Sequence, residues 1–231
     1  MIIYGKNTVK EAIIAKRTVY KLFLDEKKTD PKIMGFIKGS QIPFKLVSKH
    51  DLNQMTDNQN HQGIVADVAA YQYQDLSILF DQTIKKVLIL DQIEDPHNLG
   101  AILRSVEATK IDAVILPKNR SVDLNATVAK TAVGALEYVN VIQVGNINQA
   151  ISKLKDNGFW VVGTDMNASK TYKEIDTSTS VAVVIGNEGE GISHLTKQSC
   201  DYLVNIPMKG KVNSLNASVA AALILYQIAD L

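Results

Sequence analysis

Apolar runs at residues 87–90, 113–116, 138–144, 159–163, 181–185 and 202–206 set the rhythm of the second part of the chain, with helix-like stretches between them. Short Val- and Ile-rich strands that do not alternate with polar residues are buried on both faces, which predicts an α/β fold with a mostly parallel sheet and helices on both sides. The first 70 residues follow another pattern. A helix is expected over Val9–Ile14, a strand over Val19–Leu24, a helix over Pro31–Lys38, and strands over Phe44–Val47 and Ile64–Ala69, making a small α/β unit. Residues Tyr71 to Ile84 are polar and mixed, as a linker would be. The expected division is residues 1–70, a linker at 71–85, and 86–231.

Composition narrows the class. The 231 residues are 46% hydrophobic, enough to bury a substantial core. No apolar run approaches the roughly 20 residues of a membrane helix, and Met1-Ile-Ile-Tyr-Gly5 lacks the basic start and apolar stretch of a signal peptide, so a cytoplasmic protein without membrane partners is expected. The single cysteine, Cys200, reads as a packed helix residue, and His50, His61, His97 and His194 show no ligand spacing, so no metal is expected. The overall charge of +1 conceals an asymmetry: residues 1–50 carry a net +7 and the remainder −6. That bias suggests that the N-terminal part is an electrostatic handle for a polyanion such as RNA.

Common nucleotide signatures are missing. Gly186, Gly189 and Gly191 give G-x-x-G-x-G, not the dinucleotide order, and no G-x-x-x-x-G-K-[ST] occurs. Three other turns stand out: Asp95-Pro-His-Asn-Leu-Gly-Ala-Ile-Leu-Arg104, Asn187-Glu-Gly-Glu-Gly-Ile-Ser193, and Ile206-Pro-Met208 followed by Ser214-Leu-Asn-Ala-Ser218. Asp95-Pro96 starts a helix, with Asn98 as an alternative cap. That helix places Leu99, Ile102, Leu103 and Val106 on one face, and Arg104 about 140° from Leu99, off the stripe. Arg104 is therefore either a solvated arginine or a ligand for phosphate or ribose. In the second turn glycines allow close approach of the main chain, and Glu188 brings an ionisable group. Ser214 is expected to cap the last helix, with Leu215, Val219, Ala222 and Tyr226 along one face, but that leaves Asn216, a poor helix former, unexplained.

Together these turns resemble the three motifs of the SpoU (TrmH-type) RNA 2'-O-ribose methyltransferases of the SPOUT superfamily. Ile3-Tyr-Gly-Lys-Asn-Thr-Val-Lys-Glu-Ala12 and His61-Gln-Gly-Ile-Val-Ala66 are similar to the RNA-binding domain of the ribosomal RNA branch. The resemblance implies a C-terminal trefoil knot, a homodimer, and S-adenosylmethionine surrounded by Gly186, Ile206, Met208 and Leu215. It implies catalytic roles for Asn98, Arg104, Glu188, Ser214 and Asn216, with Arg104 the family's proposed proton acceptor. A guanosine of 23S rRNA is the favoured substrate; tRNA, or a non-catalytic ribosome-assembly role, are the alternatives.

Overall fold

The computed structural model describes residues 1–28, 30–81, 83–211 and 214–231, which divide into two units. The first comprises Met1–Tyr71 with Leu124–Tyr138, and the second Gln72–Asp123 with Val139–Leu231. The sequence expectation counted Leu124–Tyr138 with the sheet domain; by its contacts the segment belongs to the N-terminal unit.

In the first unit the order is β1 (Ile2–Tyr4), α1 (Lys6–Ile14), β2 (Val19–Asp25), α2 (Pro31–Ser40), β3 (Phe44–Val47), α3 (Lys49–Met55) and β4 (Ile64–Val68). The sheet runs β1-β4-β2-β3, with β4 antiparallel to both neighbours and β2 parallel to β3. Helix starts are set locally. The Asp30 side chain accepts from the Lys32 amide with Pro31 at the first helical position, and Ser48 and Asp51 cap α3 reciprocally. Sequence reading missed β1 and α3, whose short lengths give too few turns of periodicity to register.

A buried ion pair closes this unit. Arg17 Nη1 lies 3.0 Å from Glu137 Oε1, and their side chains are 8% and 5% exposed. The guanidinium also donates to the Ala69 carbonyl and stacks 3.4 Å from the Tyr71 ring centroid, while the Tyr71 hydroxyl donates to Glu137 at 2.7 Å. Burial first, and then the Glu137 carboxylate, push the Tyr71 hydroxyl pKa upward, so it stays a donor.

The second unit contains β5 (Lys86–Asp91), α4 (Pro96–Thr109) and β6 (Ala113–Pro117). After the first unit's α5 (Ala126–Thr131) come β7 (Val141–Val144), α6 (Ile147–Asp156), β8 (Trp160–Thr164), β9 (Lys170–Thr171), β10 (Val181–Gly186), α7 (His194–Ser199), β11 (Tyr202–Asn205) and α8 (Ala217–Ile228). The strand order is β7-β6-β5-β10-β8-β11-β9, and every pairing is parallel. All six residues of β10 are buried, as its unbroken apolar run requires. Ile147, Ile151 and Leu154 of α6 pack on one face with Val87, Ile89, Val161, Ala182 and Val184. On the other side α4 and α8 pack on each other, and α8 packs on β10. Of the expected linker, Gln82 lies outside the described residues. The rest is integrated: Gln74 bridges to Ile142, and Leu76, Leu79 and Phe80 join the core.

The last helix differs from expectation. It starts at Ala217 with Asn216 as cap, the Asn216 side chain accepting from the Ser218 amide at 3.0 Å. This accounts for Asn216, which is a favoured cap although a poor interior residue. The buried face is Ala217, Ala221, Ile224, Leu225 and Ile228, leaving Val219 and Tyr226 about half exposed, at 48% and 49%. Nearly every position from Ala217 to Ile228 is apolar or small, so periodicity could not choose the inner face. Cys200 is the residue after α7, not within it; its thiol donates to the Thr196 carbonyl, and burial pushes its pKa up to about 12. Among the described residues no helix is long and apolar enough to cross a membrane.

Arg17→Ala should destabilise the protein by about 3–5 kcal/mol, because it strands a buried carboxylate. Arg17→Met with Glu137→Leu should recover most of that loss in urea unfolding. Equal instability of the single and double variants would show that Glu137 is not electrostatically dependent on Arg17.

Candidate functional site

The carboxyl ends of β8, β10 and β11 open into a cavity of about 260 Å³ within the second unit. Parallel sheets expose strand-end backbone groups there, which is where such folds bind ligands. Gly186, Ile206, Met208 and Leu215 all line it, and so do Glu188 and Ser214.

The loop after β10 is shaped by glycine and by one amide. A Cβ on Gly186 would lie 2.0 Å from the Gly191 carbonyl carbon, so no side chain fits. Gly191 has φ 69°, and its amide donates to the Asn187 carbonyl at 3.1 Å, closing the turn. Asn187 Oδ1 accepts from the Gly189 and Glu190 amides at 3.0 and 2.8 Å, holding the tip. Asp91, 5% exposed at the end of β5, accepts from the Ser193 amide at 3.0 Å and fixes the far side of the turn.

Glu188 then joins the three motifs. Its Oε1 accepts from Asn98 Nδ2 at 2.9 Å, Asn216 Nδ2 at 2.7 Å and the Ala217 amide at 3.0 Å. Asn216 Nδ2 also donates to Asn98 Oδ1 at 2.9 Å. Asn98 is available for this because Asp95 serves as the cap of α4, accepting from the His97 amide at 2.9 Å. The carboxylate sits at the start of both α4 and α8, where helix dipoles favour negative charge.

Two expected residues stand apart from this cluster. Arg104 is exposed on α4, opposite in environment to Leu99, Ile102, Leu103 and Val106, which are all fully buried. It does not line the cavity and makes no hydrogen bond or ion pair among the described residues. Ser214 lines the cavity but does not cap α8; its neighbours Val212 and Asn213 lie outside the described residues.

Asp165 and Lys197 were not among the residues expected from the sequence. Both line the cavity and form an ion pair at 2.5 Å, with 12% and 31% of their side chains exposed. Asp165 directly follows β8, and that position at a strand's carboxyl end was the available signal. The hydrogen bond from Lys197, and then the Asn167 amide, hold the Asp165 carboxyl below the usual carboxylate range.

Comparison with known proteins decides the family. Residues 85–226 match the model of the SpoU rRNA Methylase family, and residues 2–74 match that of RNA 2'-O ribose methyltransferase substrate binding. The chain belongs to the SpoU rRNA methylase family. It is an RNA 2'-O-methyltransferase of that family. A Staphylococcus aureus (strain COL) protein assigned to the TrmH family of tRNA/rRNA methyltransferases is 45% identical over 239 residues, covering 98% of this chain and 94% of the relative. A Staphylococcus saprophyticus protein of the same description is 42% identical, covering 99% and 94%. Among solved structures, the SpoU methyltransferase AviRb of Streptomyces viridochromogenes, in complex with AdoMet, shares the fold with TM-score 0.84 at 22% identity, covering 100% of this chain and 89% of that one. A TrmH/SpoU tRNA modifying enzyme from A. aeolicus gives 0.58 at 26% identity, covering 67% and 79%.

Gly186→Ala should collapse the cavity in this SpoU enzyme by forcing the 186–191 turn open, while the buried sheet persists. Increased proteolysis within 186–193 with unchanged far-ultraviolet dichroism is the expected result; an unaltered cleavage pattern would show that the turn tolerates a Cβ. The Asp165–Lys197 pair gives a pH dependence. A depressed carboxyl pKa contributes stability that is present above the unfolded value and lost as pH falls through the folded one. Wild-type protection of the 165–167 loop in hydrogen exchange should therefore stay constant through neutrality and fall only below the usual carboxylate range, whereas in Lys197→Met it should fall at higher pH.

Proposed function

We propose that the cavity at the ends of β8, β10 and β11 binds S-adenosylmethionine and that the enzyme methylates the 2'-hydroxyl of a ribose in structured RNA, with a guanosine of 23S rRNA as the favoured target. The observation that carries this reading is the convergence of Asn98, Asn216 and the Ala217 amide on Glu188 beside a glycine-only turn. The residues suit the cofactor. Gly186 admits close main-chain approach, Ile206 and Met208 offer strand-end backbone groups, and Ile185, Leu215 and Ala220 give apolar wall for an adenine ring. AviRb, of the same fold, was crystallised with AdoMet. When bound, S-adenosylmethionine supplies a methyl group already activated by its sulfonium.

The remaining difficulty is the ribose hydroxyl, a poor nucleophile until its proton is shared or removed. Asn98 and Asn216 position the ribose, held in turn by Glu188, and Ser214 contributes a hydroxyl at the cavity rim. Arg104 holds the adjacent phosphate and orients the hydroxyl, and the phosphate takes the proton. Because Arg104 does not line the cavity of its own chain, a second chain is part of this reading. The exposed apolar face of α8, with Val219, Leu223 and Tyr226, supports a homodimer, and α8 packs on α4, the helix that carries Arg104. The C-terminal third is read as a trefoil knot, supported by the placement of β10 between β5 and β8 and by the two loops that share the cavity. The 99% coverage by an rRNA methyltransferase of Sinorhizobium meliloti against the 67% coverage by the tRNA modifying enzyme favours rRNA over tRNA, and an RNA substrate of this kind suits an enzyme working in the cytoplasm.

Purified protein should bind S-adenosylmethionine without added metal and melt at higher temperature in its presence. No heat in calorimetry and no melting shift at saturating cofactor would remove the cofactor assignment. Arg104→Ala should lower methyl transfer by about 100-fold or more with cofactor affinity and melting temperature near normal. Arg104→Lys should stay impaired, since a point charge lacks the planar fork. Near-full turnover of Arg104→Ala on 23S rRNA would move the role to another residue.

A further inference from the structure

The first unit holds a second cavity, of about 390 Å³, that methyl transfer does not use. Its lining is polar throughout and includes Lys28, Lys49 and the amide-rich loop Asn58-Gln-Asn-His-Gln-Gly63. Among the described residues neither Lys28 nor Lys49 makes an ion pair, and the positive excess of residues 1–50 surrounds them.

The loop is a built feature. Asp57, Asn58, Gln62 and Gly63 all have positive φ, at 49°, 59°, 57° and 80°, a conformation that asparagine and glycine tolerate best. His61 anchors it from beneath at 5% exposure. Its Nδ1 accepts from the Gly63 amide at 3.0 Å, which leaves Nε2 as the donor to Asn53 Oδ1, also at 3.0 Å. Burial, reinforced by Lys49 and Lys130, lowers the His61 pKa against the opposing pull of Asp25, so the anchor is a neutral imidazole. Gln62 Oε1 accepts from the Lys6 amide and from Lys130 Nζ, at 3.0 and 3.1 Å. With His61 and Gln62 committed to structure, Asn58, Gln59 and Asn60 remain exposed at the cavity.

These groups define the ligand. Primary amides present a donor and an acceptor side by side, which complements the hydrogen-bonding edge of an unpaired base. Two unpaired lysines suit a phosphate. Asp25, buried in the lining, accepts from the Lys27 amide at 2.9 Å and so belongs to the wall of the cavity rather than to its ligand contacts. Among the described residues no Phe, Tyr or Trp lines the cavity and the His61 ring is buried beneath the loop, so stacking is not its means of recognition.

We propose that this cavity captures one unpaired nucleotide of the substrate RNA, its phosphate on Lys28 and Lys49 and its base edge on Asn58, Gln59 and Asn60. The proposal rests on the reading that the enzyme acts on RNA. Since the residues belong to the first unit and the reacting groups to the second, the site contributes affinity and not chemistry.

The test uses full-length protein with unmodified transcripts of 23S rRNA and of tRNA, titrated over a range of KCl. Lys28→Gln with Lys49→Gln should weaken binding of the preferred transcript and reduce the slope of log affinity against log salt by about 0.7, the value for one lost phosphate contact. Asn58→Ala with Asn60→Ala should weaken binding with the slope unchanged. In both, KM for RNA should rise with kcat and S-adenosylmethionine affinity preserved. All four side chains are exposed, and the asparagine pair tests the site even if the lysine pair were to unfold. If wild-type protein binds a transcript and both double variants bind it equally well with the same slope, the cavity is not an RNA site. A fall in kcat at constant KM would also overturn it. If wild type binds neither transcript while still binding cofactor, the RNA reading itself falls, an outcome distinct from failure of the cavity alone.

Discussion

Glu188 Oε1 accepts three hydrogen bonds at 2.7–3.0 Å, from Asn98 at the start of α4, from Asn216 at the cap of α8, and from the first amide of α8. A charged acceptor makes each of these stronger than a neutral bond, and the amino ends of two helices add to its stabilisation. The constraint works in both directions. The carboxylate can occupy this place only because the 186–191 turn folds back without a Cβ at Gly186, and α4 and α8 present their starts together only because they pack on one another behind β10. Packing on one face of the sheet thus fixes the geometry at its carboxyl edge.

The cavity beside this cluster is divided between backbone and side chain. Gly186, Ile206 and Met208 contribute main-chain groups at strand ends, whereas the Asp165–Lys197 pair supplies charge. Backbone groups on buried strands lose little entropy on ligand binding, because the sheet has already ordered them. On the proposed function, that leaves the exposed side chains, Arg104 above all, to respond to the RNA.

The N-terminal unit depends on another kind of constraint. Arg17 and Glu137 lie 120 residues apart, yet form a nearly solvent-free pair roofed by Tyr71. A pair so buried gives little net stability over an apolar replacement, but neither partner can be lost alone. It therefore commits Leu124–Tyr138 to this unit, although the flanking strands β6 and β7 belong to the sheet of the other.

The sequence by itself determined the parallel sheet and the place of the glycine turns. Strands buried on both faces must be continuously apolar, as the runs at 87–90 and 181–185 are, and a turn with no room for a side chain must carry glycine at 186. The inner stripe of α4 was equally legible, because polar residues interrupt it on the outer side. Tertiary structure alone decided the rest. In α8 the apolar residues run almost all the way round, so only packing against α4 and β10 selected Ala221, Ile224 and Leu225 over Val219 and Tyr226. Asn216 is accounted for locally as the cap of α8, but its bond to Glu188, 28 residues away, had no local signal. The membership of Leu124–Tyr138 was hidden for the same reason: a long-range ion pair leaves no periodic trace, since its energy arises from groups that approach only after the chain has folded.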